Sequence, residues 1–270
     1  MVGILNIQIK PVLKNKELNL KKINHFLKKN SDKNLDLVIL PEFFSTGIDH
    51  EEFTQNPEDE NGGETIDYIK ELAKEFNTNI VSGTVIEKSN DKLYNTTFII
   101  NRAGEIIAKY RKIHLYNYMG GTEGERITPG NEEIVAELDF GKIGVGICYD
   151  IRYPLHYKKL AKMGAQIIVL PTAWIVPNEI YNDKETLDYA KEMWLAMNRT
   201  RAYDNMVYVV SCNQTKKIND KVSAIGESLI VSPTAQVLQN SKDNECAIYE
   251  DVDLSVVDFL KQVYPIANID

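Results

Sequence analysis

Apolar residues recur along the chain with two spacings, and each spacing predicts a set of elements. A spacing of three and four residues predicts amphipathic helices at Lys16–Lys29, Gly63–Asn77, Leu155–Met163, Lys184–Tyr203 and Leu254–Gln262. Short apolar or alternating runs bounded by turn residues predict strands. These runs are Val2–Ile9, Leu35–Leu40, Asn79–Ile86, Leu93–Ile100, Glu105–Tyr110, Glu132–Leu138, Lys142–Ile147, Gln166–Leu170, Val207–Ser211, Glu227–Val231, Gln236–Leu238 and Ala247–Tyr249. Strands in groups with helices between them are typical of a layered α/β protein.

The connections between these elements predict mixed sheets in a single domain. Hairpin turns at Asn101–Gly104 and Asp139–Gly141 make antiparallel pairs, so the sheets should not be purely parallel. Two longer segments are predicted as loops, the acidic His50–Gly63 and the Gly- and Glu-rich Tyr116–Gly130. A loop as long as the second is usually functional or disordered. Because there is no repeat, linker or low-complexity segment, residues 1–270 are predicted to form one domain.

Charge and composition exclude several classes of protein. The net charge is −8 and no long basic run is present, so neither nucleic acid nor a membrane is expected as a partner. The N-terminus has no basic region ahead of an apolar segment, which argues against a signal peptide. Cys148, Cys212 and Cys246 are too widely spaced for a disulfide framework, and there is no Cys-x-x-Cys or His-x-x-x-His pair. We therefore expect a cytoplasmic protein without a metal or an organic cofactor.

Three reactive side chains share one kind of position. Glu42, Lys112 and Cys148 each follow a predicted strand, and ligands of open α/β sheets bind outside the carboxyl ends of the strands. A carboxylate beside a thiol can take its proton, and a lysine can stabilise the oxyanion that forms when a thiolate attacks a carbonyl or nitrile carbon. A Cys–His pair with His114 or His156 is an alternative, but both histidines are left out of the predicted site.

The surroundings of Cys148 predict a reactive thiol. It lies between a strand and the helix that Pro154 should begin, where free N–H groups and the helix dipole favour the thiolate. The alternative is a small buried side chain, as unpaired cysteines in apolar runs usually are. Taken alone, Glu42 could equally be a solvated carboxylate and Lys112 a strand-end lysine. Cys212 and Cys246 are interpreted as packing residues.

Three segments together resemble the signature regions of the nitrilase, or carbon–nitrogen hydrolase, superfamily. They are Leu40–Phe44, Tyr110–Leu115 and Gly146–Pro154, in the order found in the family. Secondary marks agree at Leu170–Trp174, Arg201–Asn205, Gly226–Ser228 and Ser232-Pro233, so the likeness runs from Val2 to about Val237. The resemblance implies a four-layer α-β-β-α sandwich with two stacked mixed sheets. It also implies a homodimer or larger homo-oligomer that pairs through a helix face.

The resemblance assigns a role to each matching residue. Cys148 would be the nucleophile, Glu42 the general base and Lys112 the cation that stabilises the oxyanion. The backbone N–H of Tyr149 would be the second oxyanion donor. None of these roles requires a metal ion.

A second glutamate often follows the lysine in this family, seven residues before the glycine of a Pro-Gly pair. Pro129-Gly130 places it at Glu123. Glu125 lies two residues later and remains an alternative, and both would otherwise be surface charges of an acidic loop.

Tyr149, Arg152 and Trp174 are predicted to bind substrate. Arg152 is the cation nearest to Cys148 in sequence, and arginine suits bidentate recognition of a carboxylate. It could instead pair internally with Asp150 or another acid. Trp174 either lines a pocket or covers the core.

The residues after Cys148 resemble the amidase and omega-amidase branches, since nitrilases proper tend to have Trp-Glu there. The prediction is a thiol hydrolase that converts a small linear amide, favoured as an omega-monoamide of a dicarboxylic acid, to acid and ammonia through a cysteine thioester. Leu155 and Ala235 depart from common family residues and leave the subfamily open. The alternatives are an N-carbamoyl amino acid or amine hydrolase, a nitrilase, or, outside enzymes, a redox-sensing thiol or an interaction protein.

Overall fold

The computed structural model describes residues 1–48, 52–55, 57–118 and 121–265. The strands are β1 Val2–Gln8, β2 Leu37–Ile39, β3 Glu58–Asp59, β4 Asn79–Val81, β5 Val85–Ser89, β6 Lys92–Ile100, β7 Ile106–Arg111, β8 Val135–Leu138, β9 Gly141–Val145, β10 Ile167–Pro171, β11 Ile175–Pro177, β12 Tyr208–Cys212, β13 Thr215–Lys217, β14 Val222–Ile225, β15 Leu229–Val231, β16 Val237–Asn240 and β17 Cys246–Val252. The helices are α1 Lys16–Lys29, α2 Glu52–Gln55, α3 Gly63–Glu75, α4 Pro154–Lys162, α5 Asn178–Asn182, α6 Lys184–Asn205 and α7 Ser255–Val263. Short 3₁₀ turns form at Glu123–Glu125 and Cys148–Arg152.

Two large sheets form the centre of the molecule, and both are mixed, as predicted. The first sheet has the strand order β17-β1-β2-β4-β6-β5-β3, with β7 paired to β6. In it β1, β2 and β4 run parallel, whereas β17 and the β5–β6–β7 meander are antiparallel. The second sheet has the order β16-β15-β12-β10-β9-β8, with a parallel centre and antiparallel edges.

Three apolar layers hold the two sheets and their helices together. The layer between the sheets contains Ile4, Ile39, Val81 and Ile99 of the first sheet and Ile143, Val145, Val169, Val210 and Ile230 of the second. Helices α1 and α3 cover the outer face of the first sheet, and α4 and α6 cover the outer face of the second. Each Leu or Ile buried in these layers contributes about 1.5–3 kcal/mol. The predicted α-β-β-α sandwich is therefore confirmed.

The predicted strand Asn79–Ile86 is interrupted, and the interruption makes room for the loop that carries Glu42. Gly83 has a φ of +69°, and a Cβ there would lie 2.3 Å from the Pro41 carbonyl oxygen. The Thr84 hydroxyl accepts a hydrogen bond of 3.0 Å from the Phe43 N–H. The apolar pattern continues across this break, so it gave no sign of the close approach.

Two other regions differ from the predicted pattern. The acidic segment His50–Gly63, predicted as a loop, contains α2 and β3; its residues 50, 51 and 56 lie outside the described residues. A small third sheet with the order β11-β14-β13 is absent from the prediction, because its strands are only three or four residues long. Within the described ranges, no helix is long and apolar enough to cross a membrane.

Candidate active site

Glu42 lies between the two sheets because its backbone is tied to both. It follows β2 of the first sheet, while its N–H donates to the Thr172 carbonyl at 3.3 Å. The Gln214 side-chain amide donates to the Glu42 carbonyl at 2.7 Å. The side chain is 1% exposed, and its Oε2 accepts a hydrogen bond of 2.9 Å from the Ala173 N–H. A buried carboxylate is thus fixed from the second sheet.

Lys112 reaches the same interior space from the end of β7. Its N–H donates to the Asn95 carbonyl at 2.9 Å, which continues the β6–β7 pairing by one residue. Side chains alternate along a strand, so Lys112 projects to the face between the sheets. Its Nζ lies 3.0 Å from Glu42 Oε1 and 2.9 Å from Glu123 Oε2. The ammonium is 2% exposed and contacts two carboxylates.

The loop after Lys112 brings in Glu123 and leaves Glu125 outside. Glu123 begins a short 3₁₀ turn, and its Oε2 accepts a hydrogen bond of 2.8 Å from the Tyr116 N–H. Glu123 is buried against Lys112, whereas Glu125 is exposed. Met119 and Gly120 of this predicted loop lie outside the described residues. Of the two glutamates that the sequence left open, the structure brings Glu123 to Glu42 and Lys112.

Cys148 occupies a sharp turn between β9 and α4. Its φ is +46°, a region that few residues other than glycine adopt, and such strain is common at functional sites. The turn is the 3₁₀ segment Cys148–Arg152, after which Pro154 begins α4 as predicted. The buried thiol lies near enough to the Glu42 carboxylate, the Lys112 ammonium and the Ala173 N–H for each of them to affect its pKa. The structure thus brings Glu42, Lys112, Glu123 and Cys148 into one cluster.

The expected stabilisation of the Cys148 thiolate is wrong for the resting site. Burial raises the pKa of the thiol well above its ordinary value of 9.0, and the Glu42 charge acts in the same direction, against Lys112. Cys148 is therefore a neutral thiol that needs a base.

The electrostatics of the cluster make Glu42 a candidate for that base. Burial raises the pKa of Glu42 above its ordinary value of 4.5 and the Glu123 charge adds to this, although Lys112 opposes both. For Lys112, burial alone would lower the pKa, but the charges of Glu123 and Glu42 outweigh it and hold the pKa well above 10.5. The lysine therefore stays charged, and Glu42 binds a proton more readily than an ordinary glutamate.

Asp150 joins the turn that carries Cys148 to the segment after Lys112. Its carboxylate accepts hydrogen bonds from the Tyr110 hydroxyl at 2.7 Å, the Ile147 N–H at 2.8 Å and the His114 N–H at 3.1 Å. The His114 ring lies 2.6 Å from the same carboxylate. Burial alone would raise the pKa of Asp150, but these partners outweigh it and lower the pKa. His114 thus contacts the site through Asp150, whereas His156 contacts the Val145 carbonyl.

Asn95 belongs to the cluster, and the sequence reasoning missed it. Its side-chain Nδ2 lies 2.8 Å from Glu42 Oε1 and 3.0 Å from Glu123 Oε1. The available signal was an asparagine inside the strand Leu93–Ile100, because asparagine is depleted in strands. Only the fold shows which carboxylates it contacts.

The three predicted substrate-binding residues lie beside one another. The Arg152 guanidinium is 5.8 Å from the Tyr149 ring centre and 5.2 Å from that of Trp174. Arg152 is exposed, and the Asp150 carboxylate binds Tyr110, Ile147 and His114 instead of Arg152. The ring of Tyr149 is also 5.4 Å from that of Tyr116 and 6.2 Å from that of Tyr118. Aromatic rings and one cation therefore surround Tyr149, next to Cys148.

The other two cysteines are fully or partly buried. Cys212 is buried, with its thiol near the carbonyls of Ile7 and Ile39, and Cys246 is half-buried. In the part of the chain that the structure describes, no group of three or more His, Cys, Asp or Glu side chains could hold a metal ion.

Comparisons with known proteins agree over nearly the whole chain. The family model described as carbon-nitrogen hydrolase matches residues 3–262. The chain is 29% identical to omega-amidase NIT3 of Saccharomyces cerevisiae over 279 residues, which cover 99% of this chain and 92% of that protein. The crystal structure of Saccharomyces cerevisiae Nit3, described as a member of branch 10 of the nitrilase superfamily, superposes with a TM-score of 0.85 at 28% identity and covers 98% of this chain and 94% of that one.

Two further relatives are slightly more similar in sequence. The 2-oxoglutaramate amidase of Bacillus subtilis is 33% identical over 248 residues, which cover 92% of this chain and 89% of that protein. The deaminated glutathione amidase of Dictyostelium discoideum is 33% identical over 270 residues, which cover 94% of this chain and 89% of that protein.

Proposed function

The chain belongs to the carbon–nitrogen hydrolase family and is a hydrolase of amides, and from that premise we propose that Cys148, Glu42 and Lys112 carry out the reaction. One observation carries the proposal: Cys148, Glu42 and Lys112 are buried together between the sheets, and the ammonium lies 3.0 Å from the carboxylate. These are the nucleophile, base and electrophilic group that attack on an amide carbonyl requires.

The first half of the reaction forms a thioester. Glu42 takes the proton of Cys148 as the sulfur bonds to the amide carbonyl carbon, and the carbonyl oxygen becomes an oxyanion. Lys112 and the Tyr149 N–H donate to that oxyanion. When the intermediate collapses, the C–N bond breaks and the protonated Glu42 gives its proton to the leaving ammonia. The acyl group stays on the sulfur.

The second half releases the acid. Ionised again, Glu42 takes a proton from a water molecule as its oxygen bonds to the thioester carbon. The C–S bond then breaks, and the sulfur takes the proton back from Glu42. Glu123, whose carboxylate holds Lys112 at 2.9 Å, keeps the ammonium in place through both halves. Two smaller barriers replace the direct attack of water on a resonance-stabilised amide.

The mechanism is tested by mixing the enzyme with a small amide and measuring ammonia release and the intact protein mass together. Wild type should release ammonia and show a transient mass increase equal to the acyl group. Cys148→Ala should show neither, whereas Cys212→Ala, a matched change of a buried thiol away from the site, should retain both. Turnover by Cys148→Ala near the wild-type rate would overturn the assignment.

We further propose that the substrate is a small linear amide with a carboxylate at the end away from the scissile bond. The support is Arg152, an exposed guanidinium held over Tyr149 and Trp174, with no ion pair to a described residue. Arginine binds carboxylates through two parallel N–H donors. One relative is named for 2-oxoglutaramate, an amide that carries such a carboxylate.

A substrate panel tests this choice. It contains 2-oxoglutaramate, succinamate, uncharged amides of equal length, deaminated glutathione, an N-carbamoyl amino acid and a nitrile. We expect the carboxylate-bearing amides to give the highest kcat/KM, and Arg152→Lys to raise KM for them about tenfold, because one bidentate contact is worth roughly 1–3 kcal/mol. Arg199→Lys, an exposed arginine of α6, is the matched control. A wild-type preference for the uncharged amides would contradict the proposal that the substrate carries a carboxylate. Turnover of only the nitrile or the N-carbamoyl compound would contradict the assignment to the amidase branch.

The assembly and the compartment are also proposals. We propose one domain that acts in the cytoplasm as a homodimer or larger homo-oligomer. All three cysteines are free thiols, which suits a reducing compartment. Large apolar side chains are exposed on α6 and α7, among them Tyr189, Tyr203 and Phe259. Light scattering that found only monomer at micromolar concentration would contradict the oligomer.

A further inference from the structure

We propose that Asn95 is a positioning residue for the hydrolysis, because its side-chain amide bridges Glu42 and Glu123 and so occupies one oxygen of Glu42 while leaving the other free to accept a proton. The inference rests on the proposed function, since it concerns the base of that reaction. It concerns a side chain for which the sequence reasoning predicted no role.

The geometry is a closed ring of four hydrogen bonds. Asn95 Nδ2 lies 2.8 Å from Glu42 Oε1 and 3.0 Å from Glu123 Oε1. Lys112 Nζ lies 3.0 Å and 3.2 Å from the same two oxygens. Two donors therefore alternate with two acceptors, and each donor contacts both glutamates. Asn95 is 1% exposed, so water cannot readily replace it.

An amide group is suited to this position. Its two N–H bonds diverge in one plane, so a single nitrogen can donate to two carboxylates. It adds no charge, whereas a second cation would pair fully with Glu42 and lower its basicity. The Oδ1 atom of Asn95 accepts no hydrogen bond from the described residues, so the polar contacts of this side chain are those to the two glutamates.

The ring also decides which oxygen of Glu42 can act. Oε1 accepts from both Lys112 and Asn95, whereas Oε2 accepts only from the Ala173 N–H among the described residues. The charged and titratable groups that face Glu42 are Lys112, Glu123 and Cys148. Oε2 therefore keeps a lone pair that can accept a proton, whereas both lone pairs of Oε1 are occupied. Without Asn95, Oε1 would have one donor and the carboxylate could rotate.

Loss of Asn95 has a measurable electrostatic consequence. Its hydrogen bond lowers the pKa of Glu42 and so opposes burial and the charge of Glu123. A variant without the donor should hold Glu42 protonated to a higher pH. The acid limb of the activity profile, where the ionised base is lost, should then move upward.

The test compares Asn95→Leu, which keeps the approximate size without the donor, with two controls. Asn79→Leu replaces an equally buried asparagine on the neighbouring β4, whose side chain bonds Asp36 and Asp139 instead. Thr97→Val changes a buried side chain on the same face of β6, whose hydroxyl has no partner among the described residues. We expect Asn95→Leu to lower kcat about 10- to 100-fold with little change in KM, and to move the acid limb up by half a pH unit or more. In both controls the acid limb should stay at its wild-type pH.

A second readout does not depend on the substrate. The rate of Cys148 alkylation by iodoacetamide, followed by intact mass from pH 5 to 8, also requires ionised Glu42. Its acid limb should move upward in Asn95→Leu by the same amount. If Asn95→Leu does not fold, Asn95→Ser, which keeps one hydroxyl donor, should show a smaller upward shift.

The outcomes separate the two proposals. An unchanged acid limb in both readouts for a folded Asn95 variant would overturn the role of Asn95, and so would an equal shift in Asn79→Leu. If the wild type hydrolysed no amide, the proposed function would fail, while the alkylation profiles would still decide whether Asn95 controls Glu42.

Discussion

Two glutamates have almost no exposed surface, yet their pKa values move in opposite directions. Glu42 is 1% exposed and has a raised pKa, whereas Glu87 is fully buried and has a lowered one. Burial raises the pKa of both. Burial acts more strongly on Glu42, which lies deeper, and the partners of each carboxylate add to the difference.

The partners differ in their ratio of cations to carboxylates. Glu87 has two cations to itself: Lys109 Nζ at 2.7 Å and Arg111, which donates at 2.6 and 2.9 Å. Thr96 adds a hydrogen bond of 2.6 Å. Glu42 shares one lysine with a second carboxylate, and its remaining side-chain partners are neutral.

One pair of adjacent strands builds both environments. Side chains alternate along β6 and β7, so Thr96, Lys109 and Arg111 lie on one face with Glu87. Asn95 and Lys112 lie on the opposite face with Glu42. The same hairpin thus holds the Glu87 ion cluster on one face and the Glu42 cluster on the face between the sheets. A buried carboxylate that is undersupplied with cations binds a proton more readily.

The largest effect on activity is expected from substitution of Glu42, not of Glu87. Glu42→Gln should lower kcat/KM by about three to four powers of ten, because general base catalysis is lost. It should not lower Tm: the raised pKa means that ionised Glu42 opposes folding at neutral pH, and glutamine removes that charge. Ammonia release and a thermal melt measure the two quantities. A fall in Tm with activity intact would reverse the interpretation of the site.

The next largest effect is expected from substitution of Lys112, the cation that Glu42 and Glu123 share. Lys112→Ala should lower kcat by roughly two to three powers of ten through loss of oxyanion stabilisation, and it leaves two carboxylates facing each other without a counter-ion. Lys109→Ala is the matched control, since its ammonium contacts Glu87 on the other face. Single-turnover rates of acyl-enzyme formation give the comparison. Equal rates in the wild type and Lys112→Ala would remove the lysine from the chemistry.

Glu87→Gln should show the converse pattern, a loss of stability with little loss of activity. It leaves Lys109 and Arg111 without their carboxylate, but both cations are about one-quarter to one-third exposed and can bind water. The expected cost is therefore about 1–3 kcal/mol. Urea unfolding measures it, with kcat/KM recorded on the same sample. A tenfold fall in kcat/KM would mean that the two faces of the hairpin are coupled.

The smallest effect is a window of pH in which the protein is folded but inactive. Activity requires ionised Glu42 and should fall as the pH drops through its raised pKa, above 4.5. The folded pKa values of Glu87 and Asp150 are lowered, so their contributions to stability persist below their ordinary values of 4.5 and 3.8. Between pH 4 and 7, kcat/KM should therefore fall at a higher pH than the circular dichroism signal of the folded protein. Simultaneous loss of both signals would contradict the assignment of Glu42 to the acid limb.

The sequence by itself determined much of this protein. Apolar spacing gave α1 at its observed bounds and the mixed α/β class, and the three signature segments gave the family and the sandwich. Local chemistry also placed Pro154 at the start of α4. These features depend on residues that are near one another in the chain or on motifs that recur, so a linear pattern contains them.

Only the tertiary structure decided the charge state of the site and the partners of its members. Asn95, Glu42 and Glu123 lie on separate elements and meet only when β6 stands beside the loops after β2 and β7. The local argument for a Cys148 thiolate was wrong because burial, which depends on the whole stack of two sheets, raises the pKa of the thiol. In the same way, the sequence shows Arg111 and Lys112 only as adjacent cations. The packing of the sheets decided which of them faces the reactive interior.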